Sequence, residues 1–173
     1  MMLRLIADPL LAIVLALPVH HDDRDKGADV FVQRHVIAEA IRAETKVRSE
    51  RAMLLTIAHF ESGLSIDVHR NECPRWACDV DRNGVHRARG LYQTWQNWLT
   101  DAEWNALIGL DLEATKRQTR YALRLIRGAY RLCRGETDWR RSTLSAYAGR
   151  GCSGTFKGLD ERVAMARRIE ARL

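Results

Sequence analysis

The stretch Leu54-Leu55-Thr56-Ile57-Ala58-His59-Phe60-Glu61-Ser62-Gly63 sets an acid at the end of an apolar helix. Leu54, Ile57, Ala58 and Glu61 stand at i, i+3, i+4 and i+7, so all four share one helix face. Three of them are apolar and ask to be buried. A carboxylate on such a face costs free energy unless something compensates it. Ser62-Gly63 ends the helix, which leaves Glu61 in the last turn, where the negative end of the helix dipole opposes a further negative charge. Burial and dipole both oppose ionisation of Glu61. A carboxyl group kept protonated near neutral pH is what a general acid needs, so Glu61 is the candidate catalytic residue. The competing expectation is a frayed helix end that exposes Glu61, or an arginine that pairs with it.

Outward from this helix, the pattern stays helical. Val32, Val36, Ile37, Ala40 and Ile41 recur at helical spacing before it. Behind it, Asp67 to Arg89 holds Pro, Gly, Asn, two cysteines and dense charge, and reads as a long irregular loop. Thr100-Asp101-Ala102-Glu103 is a capping box, so a helix begins at Asp101. Asp111 to Arg134 reads as a long amphipathic helix with Leu112, Thr115, Thr119, Ala122, Leu125, Ile126 and Ala129 inward, and Gly135 as its stop. Two shorter helices follow, near Trp139–Tyr147 and Leu159–Arg172. No stretch reads as a convincing strand. The expected fold class is mainly α.

The N-terminus supports two expectations. Arg4 followed by the apolar run Leu10–Leu17 has the layout of a signal peptide. A first core helix that starts at Pro9 with Asp8 as N-cap fits equally. The polar stretch from His20 to Asp29 reads as a linker or loop. The expected organisation is therefore an apolar segment and linker over 1–27 and a helical domain over 28–173.

The 173 residues are 46% hydrophobic, enough for one core, and carry a formal charge of +6, supplied mostly by arginine. That charge suits an anionic partner without choosing one. Cys73, Cys78, Cys133 and Cys152 permit two disulfides in three connectivities. Cys73–Cys78 with Cys133–Cys152 is the preferred pairing, and it implies an oxidising, extracytoplasmic compartment.

Three segments resemble motifs of soluble lytic transglycosylases and goose-type lysozymes. Ala58-His59-Phe60-Glu61-Ser62-Gly63-Leu64 is similar to the family's Glu-Ser motif. Gly90-Leu91-Tyr92-Gln93 is similar to its Gly-Leu-Met-Gln motif, and Leu144-Ser145-Ala146-Tyr147-Ala148-Gly149 to its Ala-Tyr-Asn-Ala-Gly motif. They occur in the family's order. The resemblance implies a lysozyme-like helical domain that cleaves the MurNAc–GlcNAc β-1,4 bond of peptidoglycan and leaves 1,6-anhydro-MurNAc ends. It makes Glu61 the general acid and base, and places Ser62, Gly90, Tyr92, Gln93, Trp95 and Tyr147 in the substrate site. Gln93 would hydrogen-bond the sugar, Trp95 would stack on a sugar face, and Tyr147 would point toward Glu61 or the N-acetyl group. The sequence departs from the family at Tyr92 for Met and at Ala148 for Asn. Arg87, Ala88 and Arg89 stand where the family has a serine, and the loop before Gly90 is longer.

Two alternatives stay within this resemblance. A hydrolytic lysozyme would let water attack with help from an Asp, for which Asp67, Asp79 and Asp81 are candidates. An inactive relative would only bind wall or serve as a structural piece. A basic nucleic-acid binder, with Arg117, Arg120, Arg124, Arg127 and Arg131 on one helix, explains none of the three motifs. The Asp79-Asp81-Asn83 stretch starts like a calcium loop but reaches Gly90 where a bidentate Glu belongs. His69, Cys73, Cys78 and His86 match no standard zinc spacing. Trp76 is a further sugar-stacking candidate, while Trp98, Trp104 and Trp139 are expected in the core. No cofactor and no metal are expected. The expected partner is bacterial peptidoglycan, met by a monomeric protein, with no nucleic acid and no stable membrane span.

Overall fold

The helix that ends at Glu61 is the axis of the molecule. In the computed structural model, which describes residues 8–72 and 80–173, α3 (Arg48–Ser62) is enclosed on every side from Ala52 to Ala58. A helix apolar all round its middle has to be surrounded by other elements. Here α2 (Gly27–Glu44), α6 (Leu112–Leu132) and α8 (Leu159–Arg172) surround it. The shorter α7 (Trp139–Tyr147) packs between α6 and α8. The chain is mainly helical, with eight α-helices among the described residues.

The expected helix signals have local physical counterparts. Thr100 Oγ1 accepts from Glu103 N at 3.3 Å, and the Glu103 carboxylate accepts from Thr100 N at 2.8 Å. This reciprocal cap starts α5 (Asp101–Asn105). On α6, Thr115, Thr119, Ala122, Ile126 and Ala129 are buried, whereas Leu112 and Leu125 are only partly so. Gln118 and Leu123 complete the buried stripe instead. A disulfide joins Cys133, at the end of α6, to Cys152 in the loop after α7. The paired Cys73 and Cys78 expected elsewhere, together with Trp76 and Asp79, lie outside the described residues.

The apolar run near the N-terminus is a core helix, α1 (Pro9–Ala16). Asp8 accepts from Leu10 N at 3.1 Å, and Leu10, Leu11, Ile13 and Val14 are buried against α2 and α8. Its C-terminal end is capped by an unusual donor. Arg34 on α2 is 2% exposed and donates to the carbonyls of Val14 at 3.0 Å and Pro18 at 2.8 Å. The segment expected as a linker from His20 to Asp29 is more ordered than its polarity implies. It makes a 3-10 turn at His21–Asp23, and α2 already begins at Gly27. Asp23 is buried and accepts from Ile66 N at 2.8 Å and Lys26 Nζ at 3.0 Å. That bond ties the turn to the start of α4 (Ile66–Arg70), a helix too short for periodicity to reveal.

The loop beyond α4 contains a small ladder that alternation could not reveal either. β1 (Ala88–Arg89) pairs antiparallel with β2 (Thr94–Trp95), with Ala88 opposite Trp95 and Arg89 opposite Thr94. The connecting turn is Gly90-Leu91-Tyr92-Gln93. Gln118 on α6 clamps it: its Oε1 accepts from Leu91 N at 2.8 Å, and its Nε2 donates to the carbonyls of Leu107 at 2.8 Å and Gly109 at 3.0 Å. This clamp holds the turn beside the end of α3.

Candidate active site

Glu61, Gln93 and Tyr147 arrive from three separate segments and line one open cleft of about 490 Å³. α3 presents Glu61 from its last turn. The apolar face of Leu54, Ile57 and Ala58 is fully buried, and it runs out of protein at Glu61, whose side chain is 27% exposed. The turn after β1 presents Gln93, and the end of α7 presents Tyr147. Trp95 and Trp98 form aromatic walls, and Ala148, Gly149 and Arg150 form the opposite rim. A cleft of this size with aromatic walls and few polar groups is the usual form of a small-ligand or sugar site. Trp95 also borders an adjoining depression of about 300 Å³ with Arg87, Gln96 and Asn97.

Not every expected site residue faces this cleft. Ser62 is buried, and its hydroxyl donates to Ala58 O at 2.7 Å and accepts from Leu64 N at 3.2 Å. One residue along a helix is a rotation of about 100°, so the neighbour of a cleft-facing Glu points elsewhere. Tyr92 is 1% exposed and its hydroxyl bonds Thr119 Oγ1 at 3.1 Å within the core. Gly90 serves the turn: its φ is +69°, and a Cβ there would stand 2.6 Å from Gln118 Oε1. Tyr92 contributes to the site through its carbonyl, which accepts from the Tyr147 hydroxyl at 3.2 Å. Gln93 sits at φ +45° and donates from Nε2 to Gly90 O at 3.0 Å. A left-handed glutamine is an uncommon, strained conformation, of a kind that concentrates at binding sites.

Trp98 was expected in the core but is 40% exposed and lines the cleft, its ring edge-on to Tyr147 at 6.5 Å between centroids. A 3-10 turn at Gln96–Trp98 swings it outward. Trp104 is buried, with the Arg89 guanidinium 4.2 Å above its ring. Trp139 is partly buried against the core.

Glu61 is not the isolated carboxylate that its helix face implies. Arg162 on α8 pairs with it through Nη1. The guanidinium carbon lies 4.9 Å from the Phe60 ring centroid and 5.2 Å from that of Phe156. Arg162 is 101 positions from Glu61, and no local pattern could have identified it. Burial, and after it the positive charges of Arg34 and Arg162, hold His59 below the usual histidine range. Burial, reinforced by the charge of Glu61, pushes the Tyr147 phenol well up, so it remains a hydrogen-bond donor.

Among the described residues, Glu61 is the one carboxylate lining the cleft. Asp67 pairs with Lys26 at 3.2 Å, and Asp81 Oδ1 accepts from Asn83 N at 2.8 Å and Val85 N at 2.9 Å within its own turn. His69, weighed as a metal ligand, is fully buried between Thr115, 3.0 Å from Nε2, and Gln33, 3.4 Å from Nδ1. His20, His21 and Asp22 bring ligand atoms within 4.8 Å of one another, but His20 Nδ1 already accepts from Asp22 N.

Four of the five arginines of α6 are engaged by the protein itself. Arg120 pairs with Glu44, Arg124 with Glu103 and Arg127 with Glu50, and Arg117 donates to Ala106 O. A phosphate backbone would compete with three carboxylates for them. No helix among the described residues is long and apolar enough to cross a membrane. Comparison of the chain with protein-family models, with curated proteins and with solved structures gives no match.

Proposed function

We propose that the protein cleaves the glycan strands of bacterial peptidoglycan as a lytic transglycosylase, with Glu61 as general acid and then general base. The observation that carries this reading is the convergence of Glu61, Gln93 and Tyr147, one from each family-like motif, on a single cleft. The aromatic walls at Trp95 and Trp98 suit sugar rings, and the second depression beyond Trp95 suits a chain of them. Gln93 offers an amide that both donates and accepts, and Tyr147 a phenol that remains protonated. Glu61 is the one carboxylate lining the cleft among the described residues, which is compatible with the route in which the substrate supplies its own nucleophile. Glu61 protonates the glycosidic oxygen as the C1–O bond breaks, and the bonding pair leaves with that oxygen. The carboxylate then takes the proton of the muramic 6-hydroxyl as its oxygen closes on C1.

The Cys133–Cys152 bond fits an oxidising site of action, such as the periplasm or the wall. One observation favours a second reading. A Glu61 paired with Arg162 also suits a relative that binds wall without cutting it. Release of soluble fragments from dye-labelled peptidoglycan separates the two. The enzyme releases dye and Glu61→Gln does not, whereas a pure binder releases none in either form.

A further inference from the structure

We propose that Arg162 is the positioning residue of Glu61, holding its carboxylate in the cleft and stabilising it between the two proton transfers. This inference rests on the glycan-cleaving reading of Glu61. Arg162 reaches the last turn of α3 from α8, and its side chain is only 16% exposed. The rings of Phe60 and Phe156 lie within cation–π distance of the guanidinium. Its Nε is buried without a hydrogen-bond partner. The group is aimed at Glu61 rather than saturated by its surroundings.

The other charged or titratable groups around Glu61 do not duplicate this role. Tyr147, from α7, is held protonated by burial, and His59, on α3 itself, is held toward its neutral form. Arg150 lines the cleft rim from the loop after α7. Arg162 is the cation bonded to the carboxylate.

The consequence for the chemistry is directional. When Glu61 gives its proton to the leaving oxygen it becomes a carboxylate, and Arg162 stabilises that charge in place. The carboxylate is then aligned to take the proton of the attacking hydroxyl, which restores the starting acid. Arg162 therefore supplies alignment and a stabilised intermediate.

The test compares wild type, Arg162→Met and Arg162→Lys on peptidoglycan, with kcat and KM measured across pH and folding checked by circular dichroism. In Arg162→Met the inference expects kcat to fall about 10- to 100-fold with KM little changed. Arg162→Lys recovers part of the loss in kcat. An active wild type whose kcat is unchanged in folded Arg162→Met overturns the inference and leaves the function intact. A wild type inactive on peptidoglycan overturns the glycan-cleaving reading, and the catalytic role of Arg162 with it.

Discussion

The Tyr147 hydroxyl donates to the backbone carbonyl of Tyr92 at 3.2 Å, which fastens the end of α7 to the Gly90–Gln93 turn. Both partners are buried, so the bond is shielded from water. It joins two of the three segments that line the cleft and fixes the spacing between Gln93 and the rim at Ala148–Arg150.

Tyr147→Phe keeps the ring and removes that bond. The expected loss is about 1 kcal/mol of unfolding free energy, measured by urea denaturation. Activity falls further than stability does, because the two cleft walls lose their tie.

Gly90→Ala meets two obstacles, a positive φ and the Gln118 amide. Displacing Gln118 frees the Leu91 N–H and the carbonyls of Leu107 and Gly109 together. The variant is expected to lose about 2 kcal/mol or more in chemical denaturation. Gly128→Ala, within α6 and with open space at its Cβ, provides the harmless control.

His69 gives the fold a pH dependence. Burial, aided by the Arg70 charge, pushes its ring down to about 3 from the usual 6.5. Between those values the unfolded chain binds the proton and the folded chain does not. The contribution of His69 is therefore complete above about pH 6.5 and is lost as pH falls toward 3, by at most about 1.4 kcal/mol per pH unit. Several carboxylates add acid sensitivity of their own, so the comparison is with His69→Gln. Its stability, from denaturation at pH 4 to 7, is expected to fall less steeply than that of wild type.

The Cys133–Cys152 disulfide spans 19 positions and anchors the loop that carries Gly149 and Arg150. Replacing both cysteines by serine is expected to cost about 3 kcal/mol, from loop-closure entropy in the unfolded chain. Thermal melting of the double variant checks this, and activity at low temperature reports how far the cleft rim has loosened.

What the sequence made legible follows from the range of each signal. The capping box at Thr100–Glu103, the Gly63 stop and the apolar stripe of α6 act within one or two turns, and each element is where its signal put it. The Asp8 cap and Pro9 start likewise mark α1, one of the two expectations for that segment. Range is also what hid the rest. Arg162 meets Glu61 across 101 positions, and Asp23 meets Ile66 across 43. The two-residue strands and α4 are too short to show a period. Motif membership misled at Ser62 and Tyr92, because adjacency along the chain says nothing about which way a side chain points. Trp98 shows the converse: an aromatic residue reads as core from the sequence, and the 3-10 turn beneath it puts it in the cleft.

Product analysis tests the central claim most directly. Purified peptidoglycan is digested with wild type and with Glu61→Gln, and the released muropeptides are weighed by mass spectrometry. Anhydro-muropeptides from wild type alone are the predicted result. Reducing-end products from wild type alone would make the enzyme a hydrolytic lysozyme, contradicting the transglycosylase step while keeping the role of Glu61. No product from folded wild type would contradict glycan cleavage altogether.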